Sequence, residues 1–212
     1  MVMKQVSAEQ IAQNLERFYK FIDDYIPGER GKKLKAFYKT IEETLATSPA
    51  SSRLSHHNCF PGGYLDHVLR VVEGALIMHK VWDRFKQKET YTLEELVFSA
   101  INHDLGKLGT NDRPFYKPNE NQWQVEKQGI MYSFDAEQHM RVADRSLFAL
   151  QQAGIPMSEV EYISIKIHDG LYEEANKPYL LTFSPEAHLK TMLPHVLHQA
   201  DLMASQIEKQ YT

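Results

Sequence analysis

The residues best equipped for chemistry are His103 and Asp104, adjacent at the end of the apolar run Ser99-Ala100-Ile101-Asn102-His103-Asp104-Leu105-Gly106-Lys107. In helical steps Asp104 shares a stripe with Val97, Ala100 and Ile101, and His103 shares one with Leu96 and Ala100, so both polar groups point toward a core. A buried carboxylate is costly unless it is hydrogen-bonded, paired or bound to a metal. Coordination of a divalent metal best explains an acid and an imidazole together in such a place. His67, His139, His168 and Asp201 are further ligands of the same kind, each assigned to a helical segment. No short-range finger can form from them, because the chain has one cysteine, Cys59, and none of the close spacings of a zinc knuckle. The site must be assembled in space from several helices, as metal sites in bundle cores are. Mixed imidazole and carboxylate donors suit Mn, Fe, Co, Ni or Zn, where all-oxygen sites favour Mg or Ca. One or two such ions are the expected cofactor. A metal held this way makes coordinated water acidic enough to attack at neutral pH and polarises a phosphoryl oxygen.

This pattern resembles the HD superfamily of metal-dependent phosphohydrolases. The matching residues are His67, the His103-Asp104 doublet, and Asp201 in Leu197-His198-Gln199-Ala200-Asp201, so that the match runs from about position 56 to 201. His56-His57-Asn58-Cys59-Phe60-Pro61-Gly62-Gly63-Tyr64-Leu65-Asp66-His67 is similar to the entry motif of the branch that includes YhaM-type 3′-to-5′ exoribonucleases. His103-Asp104-Leu105-Gly106-Lys107 is similar to the HD-x-GK form of phosphodiesterase-like members. The resemblance implies that His67, His103, Asp104 and Asp201 hold a first metal. It also implies that His139 and His168 complete a second site and that Asp104 bridges the two. Where multi-metal members often carry a His-His pair, this chain has His168-Asp169, so Asp169 either replaces a ligand or supports one. Nothing before His56 reads as the strand-rich binding module of the exoribonuclease members.

Several elements must position these groups. Ser7 with Gln10 reads as a capping box opening a helix to about Tyr25, and a second helix is expected over residues 32–45. A third spans 63–85, with Leu65, Val68, Leu69, Val72, Ala75 and Leu76 on its apolar face. Thr92-Leu93-Glu94-Glu95 is a capping box for the helix that delivers the doublet to its far end. Residues 107–133 form a long connection without helical period, a candidate lid, with 123–131 as a short hairpin. Later helices are expected over 135–153, 157–168 and 185–210. The fold class is therefore all-α: a single helical bundle over 1–212, with N-terminal helices in 1–50 packing on a metal-binding core in 56–205 and a long loop or short hairpin after the doublet.

A chain of 212 residues with 42% hydrophobic content is long enough for one sizeable core. No stretch approaches a membrane span, the N-terminus lacks an apolar signal region, and one cysteine fits a reducing compartment; a cytoplasmic protein is expected. A net charge of -4 argues against a broad duplex-binding surface but is compatible with a nucleotide or a short single strand. The basic run 30–35 reads first as a solvated helix start.

Each candidate has a plainer alternative. Lys107, one turn past the doublet, is either a cation for transition-state charge or an exposed lysine after a cap. His56 and His57 either approach a substrate phosphate or stabilise their loop, and His198 either orients Asp201 or packs. Phe115, Tyr116, Trp123 and Tyr132 either stack on a base or form a satellite core; Tyr172 and Tyr179 could add a wall. His79 and His188 read as structural. The expected activity is hydrolysis of a phosphate ester of a nucleotide or related small molecule, with Asp104 and Lys107 as catalytic residues. A phosphodiesterase or 3′-to-5′ exonuclease and a non-catalytic metal-binding sensor remain as alternatives.

Overall fold

The computed structural model describes residues 6–85, 90–110 and 113–209. Ser7 accepts from the Gln10 N–H and starts α1 (Ala8–Tyr25). The reciprocal half of the expected box does not form, because the Gln10 side chain donates to Asn14 instead. Next come α2 (Gly28–Thr40) and α3 (Glu42–Thr47), where sequence suggested one helix over 32–45. The break falls at two consecutive β-branched residues: the Thr40 hydroxyl takes the Phe37 carbonyl, and the Ile41 N–H turns to Tyr38.

The central helix α4 (Gly63–Phe85) begins after a tight turn in which Asn58 has φ +45° and Gly62 φ +84°. A Cβ on Gly63 would lie 2.2 Å from the Asn58 carbonyl oxygen, so only glycine lets the chain enter the helix here. The same turn buries Cys59. α5 (Leu93–Asn102) opens on the complete Thr92–Glu95 capping box. Beyond it, β1 (Tyr116–Pro118) and β2 (Tyr132–Phe134) pair antiparallel with Tyr116 opposite Phe134, and α6 (Gln122–Gln128) lies between them. The hairpin thus flanks the 123–131 segment where it was expected; Asn121 caps α6 and Gly129, at φ +63°, ends it.

α7 (Val142–Gln152) starts later than residue 135, because Asp135 continues the hairpin through its N–H to Phe115 and its carboxylate to Lys117. α8 (Glu159–Lys166) carries a second complete capping box from Ser158. After the short α9 (Lys177–Leu180), α10 (Leu193–Lys209) closes the described chain. A helix from 185 could not have run through Pro194, which lacks an N–H and is tolerated only in a first turn. The expected end at Gln210 and the first five residues lie outside the described residues.

The architecture is an all-α bundle with one two-stranded ribbon among the described residues. α4 packs against α10, α5 and α1, while α5 also meets α8 and α8 meets α7. One apolar cluster runs through all of them, with Phe18, Tyr38, Tyr64 and Phe98 fully buried. The basic run at 30–35 divides. Lys32 and Lys35 pair with acids at the surface, but Arg30 bonds Glu94 and the buried Glu161 at 3.0 and 2.6 Å and ties α2 to α5 and α8. No helix among the described residues is long and apolar enough to cross a membrane.

Candidate metal centre

His67 comes one turn into α4, His103 and Asp104 follow the last turn of α5, His168 follows α8, and Asp201 lies midway along α10. Packing of α4 against α5 and α10 brings these ends to one point. His67 Nε2 is 3.2 Å from Asp201 Oδ1 and 3.6 Å from Asp104 Oδ2. His103 Nε2 is 3.5 Å from Asp104 Oδ2 and 3.8 Å from Asp201 Oδ1. An ion with ligand bonds of about 2.0–2.2 Å holds neighbouring donors about 3–3.6 Å apart, so these four groups already sit near coordination spacing.

The hydrogen-bond pattern of the rings fits the same role. His103 Nδ1 lies 2.7 Å from the Ala100 carbonyl and His168 Nδ1 2.8 Å from that of Ile165. A carbonyl only accepts, so Nδ1 donates in both rings and Nε2 is the nitrogen that faces the centre. His67 Nδ1 is held at 3.0 Å by Glu208. Nε2 of His67 and of His103 is buried without a hydrogen-bond partner, an arrangement expected of ligand atoms and costly otherwise. Buried His and Asp groups here can hold a metal ion.

Asp104 turns its second oxygen the other way. Oδ1 is 3.6 Å from His168 Nε2, which is 3.7 Å from Asp169 Oδ1, and His168, Asp169 and Asp201 form a further group within ligand reach. Asp169 therefore stands where a second ligand was sought. His139 does not: it is exposed on the extended segment before α7 and, although it lines the cleft above, belongs to none of the donor groups. Its expected helix begins only at Val142, which leaves the imidazole on the wall.

His57 lies closer in than a substrate-facing loop residue would. Its ring centroid is 4.8 Å from that of His67, its buried Nε2 lacks a partner, and it groups with His67 and Glu208. His56 is exposed at the mouth of the cleft. His198 does not orient Asp201: its Nδ1 donates to the His168 carbonyl at 2.7 Å, and its ring lies against Gly170, bracing the turn that carries His168 and Asp169. Trp123 is 59% exposed on α6 and does not line the cleft; Phe115, Tyr116, Phe134 and Tyr172 do. Phe115 also packs on Tyr116 and Phe134, so the hairpin aromatics are at once a satellite core and a wall. The cleft has a volume of about 680 Å³ with Asp104, His168 and Asp201 at its floor and Lys107 beside them.

An outer layer had no counterpart in the sequence reading. Glu208 is buried and receives Arg70 Nη1 at 2.5 Å, and Arg70 reaches Asp66 at 3.2 Å, which Asn58 also holds. The signal was the helical spacing of Asp201, Ala204 and Glu208, which puts the glutamate two turns along the aspartate's face. Ser146 on α7 is the other omission. Its hydroxyl accepts from the Gly106 N–H at 2.8 Å and lies 3.0 Å from the His103 carbonyl, pinning the exit from the doublet. A Cβ on Gly106 would be 2.3 Å from the Val142 carbonyl oxygen, which is why a glycine follows the doublet so closely.

Electrostatics sort the groups. Burial opposes charge on His67, but Glu208 and Asp201 overcome it and lift the pKa to about 10. His168 is likewise raised against burial, to about 9, by Asp169 and Asp104. Burial dominates at His103, lowered to about 4, and at His57, lowered to about 2. Asp104 stays well below the carboxylate range against its burial, chiefly through Lys107, whose Nζ is 2.5 Å from Oδ2. Asp201 is held down by the adjacent imidazole of His67, then by those of His103 and His168, also against burial. Both acids are thus ionised and available as ligands. Comparison of the sequence with family models and with curated proteins, and of the fold with solved structures, gives no match.

Proposed function

We propose that the protein is a metal-dependent phosphohydrolase that cleaves a phosphate ester of a nucleotide or related small molecule, the activity implied by the resemblance to the HD superfamily. One observation carries the reading: the partnerless Nε2 atoms of the buried His67 and His103 converge at coordination spacing with Asp104 and Asp201, which line the floor of an open cleft. His67, His103, Asp104 and Asp201 would hold the first ion, and Asp104 Oδ1, His168, Asp169 and Asp201 a second. When bound, such ions polarise a phosphoryl oxygen and raise the supply of nucleophile from water at neutral pH.

The chain's own groups do the rest. Lys107, tied to Asp104 and open to the cleft, sets a fixed positive charge where a phosphoryl group would rest and offsets the negative charge that builds during attack. Its ammonium also keeps Asp104 ionised, so the ligand is ready without a proton to lose. Glu208 fixes His67 with Nε2 inward, and the Ala100 and Ile165 carbonyls do the same for His103 and His168.

The test is to strip the protein with a chelator, restore Mn, Fe, Co, Ni or Zn separately, and assay p-nitrophenyl phosphate, bis-p-nitrophenyl phosphate and a nucleotide panel. Metal-dependent turnover is expected, and Asp104→Ala should lose both metal and turnover. Turnover of the diester alone would move the reading to a phosphodiesterase. Inactivity with every metal and substrate would overturn catalysis in favour of a metal-binding sensor.

A further inference from the structure

The cleft holds a guanidinium that neither the metal centre nor the fold accounts for. Arg145, on α7, is only 3% exposed, yet among the described residues no carboxylate pairs with it. Its Nη2 reaches the Gln138 and Met140 carbonyls at 3.4 and 3.5 Å, long for hydrogen bonds, and its Nε is buried without a partner. Nε and an Nη form the edge with which arginine grips an oxyanion through two parallel bonds. The other cations beside it are engaged: Lys107 by Asp104 and Arg141 by Glu173. Burying a guanidinium with Nε unpartnered and Nη2 on two long contacts costs free energy that a structural strut would recover through a carboxylate or a full set of well-placed carbonyls.

Its position is also fixed. The guanidinium sits over the Phe115 ring at 4.9 Å, and the arginine Cβ lies against Gly106, two residues past Asp104 and one before Lys107. Arg145, Phe115, Lys107 and Asp104 all line the same cleft. The side chain is therefore next to the place where the reacting phosphoryl group would rest, but on the hairpin side of it.

We infer that Arg145 receives a second phosphoryl group of the substrate, adjacent to the one attacked, so that the preferred ligand is a nucleoside di- or triphosphate or a similar bisphosphorylated molecule. This rests on the phosphohydrolase reading of the same cleft, and it assigns Arg145 a positioning and specificity role outside the metal ligands. A ligand with one phosphoryl group would fill the floor and leave the fork empty.

The test uses the metal-loaded full chain and ligands that cannot be hydrolysed, so it reads binding whether or not the protein proves to be an enzyme. Calorimetry should give at least tenfold tighter binding of methylenediphosphonate than of methylphosphonate to the unaltered protein. Arg145→Gln should abolish that preference while leaving methylphosphonate affinity and metal content unchanged. Arg145→Lys, which keeps the charge and stem but not the fork, should retain part of it and serves if the glutamine variant does not fold. Equal affinities for the two ligands in the unaltered protein would overturn the inference, as would a folded variant of either kind with the full preference. Absence of turnover beside an intact, Arg145-dependent preference would count against the phosphohydrolase reading alone.

Discussion

At the scale of single residues, the centre is held as much by groups behind the ligands as by the ligands. Glu208 is the clearest case, since it fixes the ring of His67 and is itself fixed by Arg70. Carboxylates placed behind a ligating histidine typically contribute about 10–100-fold to metal affinity. Glu208→Gln should therefore lower affinity by about that factor while the fold persists, which competition against a calibrated chelator would measure; unchanged affinity would leave Glu208 with a packing role only. Protons provide a second check. His67 and His168 have pKa values raised to about 10 and about 9, above neutral pH, so without metal both rings carry charge there. Metal requires neutral imidazole, so uptake at pH 7 should expel roughly two protons, and affinity should climb as pH rises toward 9. Calorimetry in buffers of different ionisation enthalpy counts them, and a count near zero would contradict the charged state of both rings.

At the scale of elements, the join between α5 and α7 sets where the doublet points. Gly106 has no room for a methyl group against the Val142 carbonyl, and Ser146 clasps both Gly106 and His103. Gly106→Ala should cost about 1–3 kcal/mol by overpacking and should also weaken metal binding by shifting Asp104. Urea unfolding with and without metal would separate the two effects. The sequence made the long elements legible because their apolar period is strong: α4 begins where the pattern put it and holds as far as Phe85, the last described residue there, and the Thr92 box was visible from four residues. His103 and Asp104 were readable for the same reason, as polar groups on buried stripes, and His67, His168 and Asp201 through the resemblance to the HD pattern. His139 misled because its helix was drawn too early, and nothing local revealed that Asp135 would join the hairpin. Glu208 shares the helical face of Asp201, but its partners lie more than a hundred residues away, and Arg145 stands out only by a missing partner, which no local period records.

At the scale of the whole molecule, the donors enter from four helices spread between positions 67 and 201, so an ion would tie distant parts of one bundle together. Binding to the folded state alone adds stability as ligand concentration exceeds the dissociation constant, about 4 kcal/mol at a thousandfold excess. Chelation should accordingly lower Tm by several degrees and restored metal should return it, as scanning calorimetry would record. A Tm indifferent to metal would argue that the centre binds none.

The lone thiol in the turn ahead of α4 has its own consequence. Cys59 is 1% exposed and burial raises its pKa to about 11, so alkylating reagents meet neither a reachable nor a nucleophilic sulfur in the native state. The rate at which iodoacetamide labels the intact chain thus becomes a clock for how often the glycine turn beside His57 springs open.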